Sequence, residues 1–238
     1  MPDNPFFEEK LAQRYEQWYE VSEGRRADLL EKELLEQLLD GFSGVQSLLE
    51  IGCGTGHFTR YFAKFTLERS EGLLPSVVGL DISPAMLKEA IRRNADREIS
   101  YLIGNALHLP FSDASFDVVA FITTLEFIDN PQQALKEAGR VARRGVLLGV
   151  LNAYSLMGIA RRLESIFKPT IYNKAHFYSV GELARLVRKS LSNRNNNLFW
   201  RTTLFPKLVP LKGVAVPFGG FIGMRVLFKS GVEMIPLT

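Results

Sequence analysis

The sequence predicts an α/β fold: a mostly parallel sheet covered by helices on both faces. Three observations predict it. Apolar, strand-like runs alternate with amphipathic helical stretches from residue 45 to residue 150, the signature of successive β-α units. The longest apolar runs, around 118–122 and 146–151, are far short of a bilayer span and suit strands buried on both faces. A glycine-rich turn joins the first strand to its helix.

Element by element, residues 8–20 and 25–39 read as N-terminal helices, the second with Leu29, Leu30, Leu34, Leu35, Leu38 and Leu39 on one face. Strands follow at 45–51, 76–80, 99–103, 116–122 and 146–150, with helices at 55–65, 84–93 and 131–141. Ser83 and Pro84 supply an N-cap and a first helical residue for the helix at 84–93. Beyond 151 the pattern changes to a basic amphipathic helix at 154–167 and a helix at 179–191 with Ser179 and Glu182 placed as a capping box. Late strands at 198–204 and 221–228 flank a loop punctuated by Pro206, Pro210, Pro217 and Gly213. The expected organisation is one domain, residues 1–238, with N-terminal helices in 1–44 and an insert near 151–178 forming a substrate lid.

Composition bounds the function. The 238 residues are 46% hydrophobic and 23% charged, enough for a single large core and incompatible with a disordered chain. The one cysteine, Cys53, excludes an intrachain disulfide and points to the cytoplasm. The first ten residues show neither a basic start nor an apolar stretch, so no secretory leader is expected. Residues 1–129 hold 12 Lys/Arg against 22 Asp/Glu, residues 130–238 hold 17 against 4. A basic half can attract an anionic substrate, a membrane surface or nucleic acid, or serve only as a solvated rim.

The chemistry centres on Glu50-Ile51-Gly52-Cys53-Gly54-Thr55-Gly56-His57. Glycines let the backbone turn sharply and approach a ligand, and the following helix offers free N–H groups. A dinucleotide fold calls for Gly-x-Gly-x-x-Gly. The spacing here is Gly-x-Gly-x-Gly with Glu50 beside it, which would repel a pyrophosphate and favour an ammonium group. Asp81 ends the second strand, 25 residues after Gly56, near the spacing of an acid that accepts from ribose hydroxyls. Asn105 can read an adenine edge. Ile82, Met86 and Leu107 can sandwich the base, core packing being the alternative for Met86 and Leu107.

These residues carry a resemblance. Glu50-x-Gly-x-Gly-x-Gly56, Asp81-Ile82-Ser83, Gly104-Asn105-Ala106-x-x-Leu109-Pro110-Phe111 and Phe116-Asp117-Val118-Val119 leading to Leu125-Glu126 resemble, in order and each at a strand end, the class I S-adenosylmethionine-dependent methyltransferases of the small-molecule type 11 group. The resemblance runs from about 45 to 150. It implies a Rossmann-like seven-stranded sheet with an antiparallel last strand. It also implies that Glu50 and the loop Gly52, Cys53, Gly54 and Gly56 hold the methionyl part of the cofactor. Asp81 would hold the ribose, Asn105 and Ala106 would border the adenine, and Thr123 would line the floor near the sulfonium. The family pattern usually has Asp where this chain has Asn105. Tyr19, on an N-terminal helix, would touch the cofactor. S-adenosyl-L-homocysteine would be the product.

Transfer of that methyl group is an in-line displacement onto an O, N, S or C atom of a small-molecule acceptor, requiring alignment and no metal. A base matters only where the acceptor must lose a proton. His176 and Glu126 are the candidates for it. His57 reads as a packing residue and His108 as a surface one. Three scattered histidines and one cysteine give no metal-ligand cluster. The acceptor region, rich in Phe, Tyr, Leu and Met with Arg161, Arg162, Lys168 and Lys174 nearby, suits a small acidic aromatic or a prenylated quinone-like lipid at a membrane surface. RNA methylation, a nicotinamide oxidoreductase and a non-catalytic S-adenosylmethionine-binding protein are the rival readings.

Overall fold

The computed structural model describes residues 8–69, 76–94, 99–155, 175–206 and 212–229. Residues 156–167 of the expected helix at 154–167, its basic residues, residues 156–174 of the expected insert near 151–178, and Pro210 lie outside them.

The elements are α1 (Glu9–Tyr15), α2 (Gln17–Glu20), α3 (Ser22–Leu39), β1 (Ser47–Ile51), α4 (His57–Arg69), β2 (Ser76–Asp81), α5 (Pro84–Arg93), β3 (Ile99–Ile103), β4 (Phe116–Ile122), a 3₁₀ turn (Leu125–Phe127), α6 (Pro131–Val141), β5 (Ala142–Leu151), α7 (Val180–Ser190), β6 (Asn196–Thr203) and β7 (Phe221–Phe228). Seven strands form one sheet in the order β3-β2-β1-β4-β5-β7-β6. β1 to β5 pair in parallel, and β7 lies antiparallel between β5 and β6.

Every residue of β4 is buried, as a central strand covered on both faces requires. Side-chain alternation then divides the core. Leu48, Val118, Ala120, Leu147 and Phe221 pack with Leu34, Leu35 and Leu38 of α3 and Phe58 and Phe62 of α4. Leu49, Val119, Phe121, Val146 and Leu148 pack with Leu135 of α6 and Leu183 and Val187 of α7. None of the described helices is long and apolar enough to cross a membrane.

Three expectations are corrected. The helix predicted over 8–20 is two short helices, because the chain breaks at Glu16 and the Glu16 side chain turns inward to bond Thr55 and Arg60. β5 starts at Ala142 rather than 146, since Phe116 and Ala142 pair ahead of an irregularity between Phe116 and Val118. Only half the capping box forms. Ser179 Oγ accepts from the Glu182 N–H at 3.2 Å, but the Glu182 carboxylate pairs with His176 Nε2 at 2.6 Å. At α5, Ser83 caps Met86 N–H as its sequence suggests.

The strands run outward from β1 to β3, then cross back to β4 on the other side of β1. Such a reversal opens a crevice at the carboxyl ends of the strands, where ligands bind in open α/β sheets. The glycine loop after β1, Asp81 at the end of β2 and residues 123–126 after β4 all stand at this edge.

Candidate active site

The loop after β1 is shaped by contacts that differ from glycine to glycine. All three loop glycines have positive φ. Gly52 is set by packing: a Cβ there would lie 2.1 Å from Thr124 Cγ2. Gly54, at φ +54°, has nothing within 4 Å of the position a Cβ would take. The loop therefore presents an open main-chain cradle at Gly54, directly before the free N–H groups of the first turn of α4.

Asp81 holds this cradle from below. Its Oδ2 accepts from Gly54 N–H and its Oδ1 from Ser83 N–H, each at 2.8 Å. Each carboxylate oxygen keeps lone-pair capacity beyond that one bond. Burial pushes the Asp81 carboxyl up, against the pull of these N–H donors. Glu50, 2% exposed, accepts from the Thr59 hydroxyl. Burial raises it to about 8, opposed by that hydroxyl and reinforced by the Asp81 charge. Two desolvated carboxyls side by side make this edge of the sheet favourable for a cation.

At the end of β4, Thr123 has φ +48°, an uncommon conformation for a β-branched residue. It is held by donation of its N–H to Gly149 O at 2.7 Å. The next residue, Thr124, donates its hydroxyl to Gly52 O at 3.0 Å, so the β1 and β4 ends are joined. Two residues on, Glu126 is 2% exposed. Its Oε1 accepts from Leu151 N–H at 2.6 Å, and its Oε2 has no partner among the described residues. Burial raises this carboxyl to about 7.

Comparison with known proteins agrees with this arrangement. Residues 49–150 match the family model described as Methyltransferase domain. An uncharacterized protein of Methanocaldococcus jannaschii is 30% identical over 183 residues, 76% of this chain and 78% of that one. A structure from Thermotoga maritima, described as a SAM-dependent methyltransferase and "possible histamine N-methyltransferase", superposes with a TM-score of 0.73 at 28% identity, covering 94% of this chain and 98% of that one. This chain belongs to the class I S-adenosylmethionine-dependent methyltransferases. A demethylmenaquinone methyltransferase of Lactococcus lactis is 39% identical over 102 residues, a match spanning 42% of this chain and 38% of that relative.

S-adenosylmethionine is the cofactor of this methyltransferase family, and the residues present fit it. The open cradle at Gly54 accepts close approach, Asp81 has acceptor capacity for hydroxyls, and the paired acids Glu50 and Asp81 suit a cationic ligand. The expected roles distribute unevenly over the structure. Cys53 offers only its main chain, since its thiol is buried and 2.9 Å from where a Cβ on Gly79 would stand. Asn105 is exposed, but its Oδ1 accepts from Leu107 N–H at 2.9 Å. Its amide NH₂ is thus the more available group for a base edge. Ile82 is 42% exposed, whereas Met86 is 2% exposed and belongs to the core. Ala106 and Leu107 are half-buried and pack on the β4–β5 core.

Tyr19 stacks on the His57 ring with centroids 3.8 Å apart and planes 6° apart, so its established neighbour is the first residue of α4. His176 and Glu126 are brought together through the main chain: His176 N–H donates to Glu126 O at 2.8 Å. The His176 ring itself is 60% exposed and paired with Glu182.

Sequence reasoning missed Glu16, Asp28, Thr55, Thr59, Arg60, Tyr101 and Thr124 of this methyltransferase. Thr59 and Arg60 lie in the first turn of α4, directly after the glycine loop, and that nearness in sequence is a usable signal. Tyr101, half-buried, with its hydroxyl 2.4 Å from where a Cβ on Gly56 would stand, carries none.

Proposed function

We propose that this methyltransferase methylates a small-molecule amine in the cytoplasm, with Glu126 receiving the proton that the nitrogen gives up. The observation that carries the reading is the buried Glu126 Oε2, which has no partner among the described residues and lies two residues from the threonine that touches the cofactor loop. A buried carboxyl oxygen without a partner is costly. A protic donor from the acceptor would satisfy it. The amine assignment is supported by the Thermotoga structure, whose similarity runs through nearly the whole chain. The similarity to the demethylmenaquinone methyltransferase is confined to the cofactor half and so bears less on the acceptor. The lone cysteine supports the compartment.

Bound S-adenosylmethionine supplies an electrophilic methyl group on a sulfonium. The chain's residues bind and orient it. The Gly52–Gly56 main chain and Glu50 hold the methionyl end, Asp81 accepts from the ribose hydroxyls, and Ile82, Asn105, Ala106 and Leu107 border the adenine, with Met86 packed in the core beneath. Thr123 fixes the β4 end that lines the floor. Tyr19 and the helices α1 to α3 cover this side. Glu126, raised by burial to about 7 so that its ionised form grows as pH rises through neutrality, orients the nucleophile and holds its proton on Oε2. His176 positions the backbone around Glu126.

A screen of amines, quinones, small aromatic acids and tRNA, read by S-adenosylhomocysteine release, tests the reading. Turnover with an amine and loss of it in Glu126→Gln are expected. Turnover confined to a quinone or to tRNA, or undiminished amine turnover in Glu126→Gln, contradicts it.

A further inference from the structure

The Glu16 side chain does for Thr55 what Asp81 does for Gly54, from the opposite side of the loop. It stands at the break between α1 and α2 and is 8% exposed. Oε1 accepts from the Thr55 hydroxyl at 2.8 Å and from the Arg60 guanidinium at 2.7 Å. Oε2 lies 3.7 Å from His57 Nδ1 and 3.8 Å from the Arg93 guanidinium. Arg60 also donates to Thr55 O at 2.8 Å. Thr55, the residue between Gly54 and Gly56, is thereby gripped at both its hydroxyl and its carbonyl.

Around this carboxylate the elements are charge-matched. His57 Nε2 is 2.6 Å from Asp28 Oδ1 of α3, and Tyr19 of α2 stacks on the His57 ring. Burial alone would raise Glu16, but the nearby His57 ring and the hydrogen bonds from Arg60 and Thr55 outweigh it and hold the carboxyl at about 2. Partners on α4, α5 and the loop meet this acid only when α1 and α2 are docked. Removing it leaves a half-buried guanidinium and the buried Thr55 hydroxyl short of an acceptor.

We propose that Glu16 is a positioning residue for the cofactor loop, fixing Thr55 and coupling closure of the N-terminal helices to occupation of the Gly54 cradle. This rests on the reading of that cradle as the cofactor site. Coupling is reciprocal: a ligand that favours the held loop must favour the docked helices by the same factor.

Hydrogen exchange and calorimetry on the full chain test it, with S-adenosylhomocysteine as the probe and with wild type, Glu16→Ala and Glu16→Gln compared. Without ligand, Glu16→Ala should exchange faster than wild type at residues 54–57. Its affinity for the probe should fall by about tenfold or more, the scale of a lost charged hydrogen bond. In wild type the probe should slow exchange across residues 9–20, and in Glu16→Ala this distant protection should vanish. Glu16→Gln, which keeps an acceptor for Thr55 but no charge for Arg60, should fall between. If Glu16→Ala does not fold, Glu16→Gln decides by the same readouts. Wild-type affinity, or undiminished protection of residues 9–20 in the variant, overturns the role of Glu16 while leaving the cofactor site standing. A folded wild type that ignores the probe overturns the cofactor reading and the coupling together.

Discussion

Thr124 and Gly52 are fitted to each other: the threonine hydroxyl donates to Gly52 O at 3.0 Å, and its methyl fills the space a Cβ on residue 52 would need. This contact ties the cofactor loop after β1 to the turn that carries Glu126 after β4. It also separates two kinds of glycine in one motif.

Gly52→Ala and Gly54→Ala should therefore behave differently. Both place a side chain at positive φ, at a cost of about 1 kcal/mol. At Gly52 the added Cβ also drives Thr124 aside, so a stability loss of about 2–4 kcal/mol is expected. At Gly54 only the backbone term applies, while the methyl enters the open cradle. Urea unfolding should rank Gly52→Ala as the less stable, and calorimetry should show Gly54→Ala folded but weakened toward S-adenosylhomocysteine by about tenfold or more.

Asp81→Ala should lose both ligand affinity and stability. The carboxylate proposed to face the ribose also accepts from Gly54 and Ser83 N–H. Its removal leaves two main-chain donors without that acceptor, costing about 1–3 kcal/mol. Thermal unfolding and calorimetry on the same preparation check this. A stable variant with wild-type affinity would remove Asp81 from the site.

Glu126 and Glu50 set a pH dependence whose sign follows from burial. Folding raises Glu126 to about 7 and Glu50 to about 8, against about 4.5 in the unfolded chain. Between those values the native state binds protons that the unfolded state does not. Their contribution to stability is thus full below about pH 4.5 and is lost as pH rises toward 7–8. Glu126→Gln should remove part of this slope, on the order of 2 kcal/mol between pH 5 and 8. Urea unfolding of variant and wild type across that range measures it.

Glu126 should govern the rate as well. Its ionised form is the one that accepts a proton, so methyl transfer to an amine should climb between pH 6 and 8 and flatten in Glu126→Gln. A pH–rate profile under single-turnover conditions reads this.

Much of the fold is legible in the sequence because the β-α alternation from 45 to 150 is set by local pattern. Pro84 and Pro131 begin α5 and α6, and Ser83 caps as expected. The cofactor motif is legible for the same reason: its glycines and Asp81 sit at strand ends. The rest depends on contacts between distant parts of the chain. The break at Glu16 exists because Thr55 and Arg60, 39 and 44 residues away, need its carboxylate. Met86 and Ile82 are both apolar, and only packing makes one core and the other surface. Asn105 Oδ1 accepts from Leu107 N–H two residues on, a contact that the motif by itself does not show.

The most direct test of the whole account is calorimetric titration of the purified, folded chain with S-adenosylhomocysteine. One molecule bound per chain, displaced by S-adenosylmethionine and lost in Asp81→Ala, is the predicted result. A flat titration with protein whose cooperative unfolding shows it to be native would contradict it.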